Sequence, residues 1–195
     1  MAIIDPLRDT DIYITLAAER KATIKYILLT HFHADFVSGH IDLARKTGAT
    51  IVYGPTAEAN FEMHVAKDGE EIPIGEVKIV VIHTPGHTLE SSTYLLVVEG
   101  SKPHSIYTGD TLFLGEVGRP DLGVKGLEVT KGISQNYTNY VLIFIYFPKI
   151  NYILLYTEIL AGYLFDSLNN RLMTLPDDVI VMPGHGNIFI LIPEH

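Results

Sequence analysis

Residues 26–36 read YILLTHFHADF, an apolar run that passes directly into three potential metal ligands, His31, His33 and Asp35. The run Ile24–Leu29 is typical of a short buried strand. In an extended segment alternate side chains point to the same side, so the two imidazoles and the carboxylate can converge on one ion. Because the chain has no cysteine, the available ligands suit zinc, iron or manganese.

Three more residues of ligand type follow other predicted strands. His87 lies in the turn Pro85–Thr88, Asp110 follows Gly109, and His185 lies between two glycines. Glycine allows the backbone to turn sharply, so that one side chain is aimed inward. Since strand ends hold side chains rigidly, the sequence predicts one metal site drawn from these six residues. The other histidines lack this setting, and we expect structural or surface roles for His40, His64, His83, His104 and His195.

The remaining pattern predicts helices and strands in mixture. We expect Asp9 or Thr10 to cap a helix with Ile12, Leu16 and Ala17 on its apolar positions, and Ser38 to cap a helix that stops at Gly48. The pattern predicts two strands within residues 71–82 joined at Gly75-Glu76, strands at 50–53, 93–98, 105–107 and 179–182, and a helical stripe of Leu160, Leu164, Leu168 and Leu172.

Composition narrows the class of protein. The 195 residues suit a single domain, and 47% hydrophobic with 19% charged residues is typical of a globular chain. A net charge of -9 argues against nucleic acid or an anionic membrane as partner. No secretory signal is visible, and Pro148, Lys149 and Asn151 interrupt the most apolar stretch, Tyr140–Tyr156. We therefore expect a soluble, cytoplasmic protein, and a homodimer stays an open alternative.

The order of the ligand-type residues resembles the metallo-beta-lactamase superfamily. The resemblance implies an α+β fold, an αββα sandwich with metal at one edge between two sheets. In the superfamily pattern a histidine follows the aspartate, but here that position is Phe36. Because a phenyl ring cannot bind a metal, a second metal site would lack a ligand.

Three segments resemble bacterial persulfide dioxygenases more closely: THFHADFVSGH (30–40), HTPGHTLES (83–91) and YTGDTLFLGEVGRPDL (107–122). This resemblance, over about residues 2–130 and 160–186, implies one Fe(II) held by His31, His87 and Asp110. His33, Asp35 and His185 would then lie nearby or represent a vestigial second site. Glutathione persulfide and O₂ would be the substrates, giving sulfite and glutathione. Two histidines and one carboxylate also suit a non-haem iron oxygenase on chemical grounds.

Two alternatives stay open at this point. A zinc-dependent hydroxyacylglutathione hydrolase of the glyoxalase II type would use metal-activated water on a thioester, although Phe36 argues against a paired metal site. Arg119 is a candidate anchor for the substrate, and a structural salt bridge to a neighbouring carboxylate is the competing interpretation.

The chain departs from the family pattern in three places. Family members carry further strands before the segment that matches Ala2–Pro6, so we expect the N-terminal strands to be missing. Residues 132–158 form an atypical apolar insert, either translated non-coding sequence or a genuine extra hairpin or helix. The tail 187–193 is apolar, and we expect no rhodanese domain after it. A damaged, inactive chain is therefore a third reading.

Overall fold

Two β-sheets pack face to face at the centre of the fold. The structure is a computed structural model that describes residues 1–122 and 150–185. The first sheet is parallel, with its strands in sequence order: β1 Ala2–Ile4, β2 Tyr26–Leu29, β3 Thr50–Tyr53 and β4 His64–Val65. The second sheet is antiparallel except for its last pair: β5 Glu71–Ile74, β6 Val77–His83, β7 Ser92–Val98, β8 Lys102–Gly109 and β9 Ile180–Pro183.

Two helices cover the outer face of the parallel sheet, and a third packs against the turn that follows β6. The helices α1, Asp11–Glu19, and α2, His40–Thr47, place Ala17 and Leu43 in the apolar cluster on the outer face of the parallel sheet. The third helix, α3, Ile150–Ser167, continues into a π-helical turn, Leu168–Leu172. The result is the αββα sandwich that the sequence predicted.

Alternation along the strands explains why so many of them are apolar throughout. In β2, Ile27 and Leu29 pack against the helices, while Leu28 points into the core between the sheets. In β6, Ile79 and Val81 contribute to that central core, and Ile82 packs on the opposite face. Because both faces of these strands are buried, successive positions must all be apolar.

The predicted ligand-type residues all follow strand ends, as the sequence indicated. His31 follows β2, His87 follows β6, Asp110 follows β8, and His185 follows β9. Two backbone hydrogen bonds bring these ends together: Ser92 N–H donates to the Thr30 carbonyl at 2.8 Å, and Gly184 N–H donates to the Gly109 carbonyl at 2.9 Å. The edge where the sheets meet therefore collects the candidate ligands.

Several local predictions are confirmed, and the capping predictions are partly wrong. The turn at Gly75 joins β5 to β6, and α2 ends at Gly48 in the left-handed conformation. Ser38 does not cap α2, because its hydroxyl donates to the Pro6 carbonyl at 3.0 Å. Of the two candidates at the start of α1, Asp9 accepts a hydrogen bond from the Asp11 N–H through Oδ1 at 3.2 Å. Thr10 makes no side-chain cap, and its hydroxyl accepts a hydrogen bond from Lys46.

Other boundaries also differ from the prediction. Strand β8 begins at Lys102 instead of residue 105, and Ile12 and Leu16 are exposed on α1, which buries Ala17. Residues 150–158 of the predicted insert belong to α3, while 132–149, the tail 187–193 and His195 lie outside the described residues. Within those described residues, no helix combines the length and apolarity that crossing a bilayer requires.

The central core predicts a large effect of truncating Leu28, which is fully buried between the sheets. Leu28→Ala should lower the free energy of unfolding by about 2–5 kcal/mol, because it removes buried methyl groups and leaves a cavity. Leu7, which is 55% exposed, offers a control, and Leu7→Ala should change stability by less than about 0.5 kcal/mol. Urea unfolding followed by circular dichroism measures both, and equal losses would contradict this description of the core.

Candidate metal centre

Three of the six predicted ligands come together in one cluster. The ligand atoms of His31, His87 and Asp110 all lie within 4.8 Å of one another. Asp110 Oδ2 is 4.0 Å from His31 Nε2 and 3.6 Å from His87 Nε2. Neighbouring ligand atoms stand roughly 3.0–3.5 Å apart around an ion with bonds of about 2.1 Å. Two imidazoles and a carboxylate at this spacing fit a first-row transition metal after a small contraction.

Thr30 fixes the tautomer of His31. The Thr30 hydroxyl donates its one hydrogen to Asp5 Oδ2 at 2.7 Å, so it accepts from His31 Nδ1, which lies 3.0 Å away. Asp5 is itself held, because its Oδ1 accepts from Thr30 N–H at 2.9 Å. With Nδ1 carrying the proton, the lone pair of His31 is on Nε2, the nitrogen that faces Asp110.

A backbone carbonyl fixes His87 in the same way. His87 Nδ1 lies 3.1 Å from the Arg119 carbonyl oxygen, which can only accept, so the proton is on Nδ1. The Nε2 lone pair is therefore also directed at the cluster. Both imidazoles are held in the form that a metal ion requires before any ion binds.

Burial favours the neutral form of His31. Its side chain is only 3% exposed, and burial, together with the neighbouring His33 and His87, lowers the pKa of His31 to about 2. His31 is consequently an uncharged ligand at any physiological pH.

Two glycines allow the close approach of the ligand-bearing turns. Gly109 has a φ of +49°, and a Cβ there would lie 2.4 Å from the Thr30 hydroxyl oxygen. At Gly118 a Cβ would lie 1.7 Å from the Asp110 carbonyl oxygen. Any side chain at these positions would push the Asp110 turn away from His31 or His87.

His185 connects two carboxylates at the open side of the cluster. Its Nδ1 lies 2.8 Å from Asp110 Oδ1, and its Nε2 lies 2.7 Å from Asp35 Oδ2. Burial alone would lower the pKa of His185, but the hydrogen bonds and charges of Asp110 and Asp35 raise it. His185 therefore holds Asp110 Oδ1, while Asp110 Oδ2 faces the two ligand histidines.

His33 lies beside the cluster without joining it. Its Nε2 lies 2.9 Å from Asp5 Oδ1, without the alignment of a hydrogen bond. The ring lies 4.2 Å from the His31 ring and 4.4 Å from the Phe36 ring, measured between centroids. Because β2 ends at Leu29 and no strand continues over residues 31–35, His31 reaches the cluster while His33 turns towards Asp5.

The remaining predicted residues have separate roles. The Arg119 guanidinium pairs with Asp121, as the salt-bridge interpretation expected, and its substrate role stays a prediction. His83 Nε2 donates to the Leu89 carbonyl at 2.8 Å. His40 lies against Phe61. At the surface, His64 contacts Glu70 and His104 contacts Ser105.

Sequence reasoning missed three polar residues that form hydrogen bonds around the ligands: Asp5, Thr30 and Glu90. Asp5-Pro6 looked like an ordinary turn, and the only structural peculiarity of Asp5 is a left-handed φ of +44°. Glu90 Oε1 accepts a hydrogen bond from Phe32 N–H at 3.0 Å. No local pattern marks the bonds of Asp5 and Glu90, because their partners lie 25 and 58 residues away.

Comparison with known proteins places these observations in context. The family model described as "Metallo-beta-lactamase superfamily" matches residues 2–185. A probable hydroxyacylglutathione hydrolase of Schizosaccharomyces pombe is 28% identical over 94% of the chain. The hydroxyacylglutathione hydrolase of Yersinia enterocolitica is 43% identical over 48% of the chain. The chain spans 58% and 35% of the lengths of these two relatives.

Two solved structures are similar over nearly the whole chain. A metallo-beta-lactamase from Staphylococcus aureus subsp. aureus COL superposes with a TM-score of 0.74 at 34% identity, covering 95% of this chain and 48% of that one. ETHE1 from Myxococcus xanthus superposes with a TM-score of 0.68 at 28% identity, covering 96% of this chain and 66% of that one.

The Thr30 hydroxyl predicts a measurable effect on metal affinity. Thr30→Val removes the acceptor for His31 Nδ1–H, so the affinity for a divalent metal should fall by about 10–100-fold. Thr30→Ser keeps the hydroxyl and should stay close to wild type. Competition with a chromophoric chelator measures both affinities, and identical values for the valine and serine variants would remove this role from Thr30.

The low pKa of His31 predicts a pH-dependent stability of the metal-free protein. Between pH 6.5 and the folded pKa, the unfolded chain binds a proton at His31 that the folded chain does not, so stability falls as pH falls. Between pH 6 and 4, the free energy of unfolding should fall less steeply with falling pH in His31→Gln than in wild type, by about 1 kcal/mol per pH unit. Urea unfolding in the presence of a chelator measures it, with exposed His104→Gln as control. Parallel profiles for wild type and His31→Gln would show that His31 does not titrate in this way.

Proposed function

We propose that this chain, which belongs to the metallo-beta-lactamase superfamily, is a persulfide dioxygenase that uses one Fe(II) held by His31, His87 and Asp110. The observation that carries the proposal is the composition of the cluster. Among the described residues these three are the one group placed to bind a metal ion. Two histidines with one carboxylate, and open positions beside them, is the ligand set of non-haem Fe(II) oxygenases.

The surroundings of the cluster support a single metal ion. Phe36 stands where the superfamily pattern has a further ligand, and its ring packs against His33. Asp35 is engaged by His185, which also holds Asp110. The side chains that a second ion would need are therefore absent or bonded to each other.

The chain prepares this site before substrate arrives. His31 and His87 are held with Nε2 facing the cluster, and His185 leaves one Asp110 oxygen free to bind. When bound, Fe(II) would supply redox chemistry with O₂ and an affinity for persulfide sulfur. The overall reaction balances as glutathione persulfide, O₂ and water giving glutathione, sulfite and two protons, with the outer sulfur oxidised and O₂ reduced.

The similarity to ETHE1 from Myxococcus xanthus supports this proposal, since it extends over 96% of the chain at 28% identity. The substrate would reach the cluster from the side of His185, whose side chain is 47% exposed. Arg119, whose carbonyl oxygen accepts a hydrogen bond from His87 Nδ1, is a candidate anchor for a substrate carboxylate. Such binding would require the guanidinium to exchange its present partner, Asp121.

A second candidate is a zinc-dependent hydroxyacylglutathione hydrolase. The names of the curated relatives favour it, because the Schizosaccharomyces pombe relative matches 94% of the chain. In this case the metal would activate water for attack on a thioester. Both candidates act on a glutathione derivative, so binding of glutathione would not distinguish them. They differ in the bond that reacts, a persulfide or a thioester, and in the metal, iron or zinc.

Oxygen uptake distinguishes the two candidates directly. Protein reconstituted with Fe(II) should consume O₂ when glutathione persulfide is added and release an equal amount of sulfite. Asp110→Ala should lose bound iron and uptake, because a ligand is removed, whereas exposed Asp177→Ala should keep both. Hydrolysis of an acyl-glutathione thioester by zinc-loaded protein, without O₂ uptake by the iron form, would support the hydrolase instead. Retention of iron and uptake by Asp110→Ala would overturn the ligand assignment.

A further inference from the structure

We infer that Glu90 is a positioning residue for the metal centre, whose carboxylate ties the loop that carries His87 to the loop that carries His31. The inference rests on the proposed function only in taking His31, His87 and Asp110 as the metal ligands. It does not depend on which reaction the metal supports.

Two hydrogen bonds bracket His31. On one side Thr30 O accepts from Ser92 N–H at 2.8 Å. On the other side Phe32 N–H donates to Glu90 Oε1 at 3.0 Å, across 58 residues of chain. Both partners belong to the segment that follows His87. The first bond is between backbones, so its length does not depend on a side chain, whereas the second depends entirely on the carboxylate of Glu90.

The other end of this connection is rigid, so the bond can transmit position. Thr88 N–H donates to Ser91 Oγ at 3.1 Å, and the Ser92 hydroxyl donates to the Glu90 carbonyl at 3.2 Å. Gly86 N–H also donates to the Thr88 carbonyl at 2.9 Å. These bonds hold the turn between His87 and Glu90 in one conformation. When the Glu90 carboxylate bonds Phe32 N–H, the turn that carries His87 is therefore held in position relative to the loop that carries His31.

The turn is supported from behind by α3. The Ser167 hydroxyl donates to the Pro85 carbonyl at 2.8 Å. At Gly86, whose φ is +145°, a Cβ would lie 2.4 Å from Leu164 Cβ. The His87 turn is thus pressed against the helix on one side and bonded to the His31 loop on the other. Glu90 supplies the side-chain part of that second attachment.

A carboxylate is well suited to this role. Its oxygen is carried two methylene groups from the backbone, and at that reach it accepts the Phe32 N–H. The Phe32 ring stacks on Tyr53 with centroids 4.5 Å apart, which holds the donor in place. Without the carboxylate, the partly buried Phe32 N–H would lack its partner, and the loop that carries His31 would be free to shift.

The test measures metal binding to Glu90 variants, two of which change either the length of the side chain or its charge, but not both. Glu90→Gln keeps an oxygen at the same reach, and Glu90→Asp keeps the charge but withdraws it by one methylene group. Metal-depleted protein is titrated with Co²⁺, and the visible absorption of bound Co²⁺ reports the ligand geometry. Glu90→Ala and Glu90→Asp should weaken Co²⁺ binding by about 10–100-fold and alter the spectrum. Glu90→Gln should stay within about threefold of wild type with the wild-type spectrum, and exposed Glu58→Ala should match wild type.

The opposite patterns overturn the inference. Unchanged Co²⁺ affinity and spectrum in Glu90→Ala would show that the bond does not position His31. Full binding in Glu90→Asp with loss in Glu90→Gln would assign the effect to charge. This comparison also holds if the alanine variant does not fold. Wild type that binds Co²⁺ but has no dioxygenase turnover with iron would refute the proposed function alone, whereas wild type that binds no metal would refute both.

Discussion

The hydrogen bond from Ser92 N–H to the Thr30 carbonyl joins the parallel sheet to the mixed sheet at the edge where the ligand side chains gather. β2 ends one residue before Thr30, and β7 begins at Ser92, so this bond sets the distance between the two strand ends. The turn that carries His87 lies between β6 and β7, and Asp110 follows β8, the neighbour of β7. The positions of all three candidate ligands therefore depend on how the two sheets are joined here.

Polar groups around the cluster serve to orient the ligands, and each is paired at a specific atom. Asp5 holds the Thr30 hydroxyl, Thr30 holds His31 Nδ1, and the Arg119 carbonyl holds His87 Nδ1. Because each imidazole gives its proton to a fixed acceptor, the nitrogen that faces Asp110 is left with its lone pair. Preparing the ligands in this way reduces the reorganisation that metal binding requires.

The proposal of a single metal ion rests on the open side of the cluster. His185 spans Asp35 and Asp110, and Phe36 packs against His33 in place of a further ligand. The arrangement favours one ion with free coordination positions, which is the basis for proposing redox chemistry on a persulfide. The curated relatives carry hydrolase names, so the same sandwich with a glutathione-linked substrate is compatible with two reaction classes, and fold alone does not choose between them.

The sequence by itself determined the strand-end placement of the ligand types, the turn at Gly75 and the helix end at Gly48, because strand alternation and glycine turns are local properties. The sandwich was an expectation from the resemblance to the superfamily, since local patterns do not fix how sheets pack. The resemblance named His31, His87 and Asp110, the three residues that the tertiary structure brings together, and only the tertiary structure decided what orients them. His33 turns to Asp5 and Ser38 to Pro6, although the local pattern suggested a metal ligand and a helix cap. Asp5 and Glu90 find their partners 25 and 58 residues away. Such bonds form only when packing of the two sheets brings distant segments together, so no local pattern predicts them.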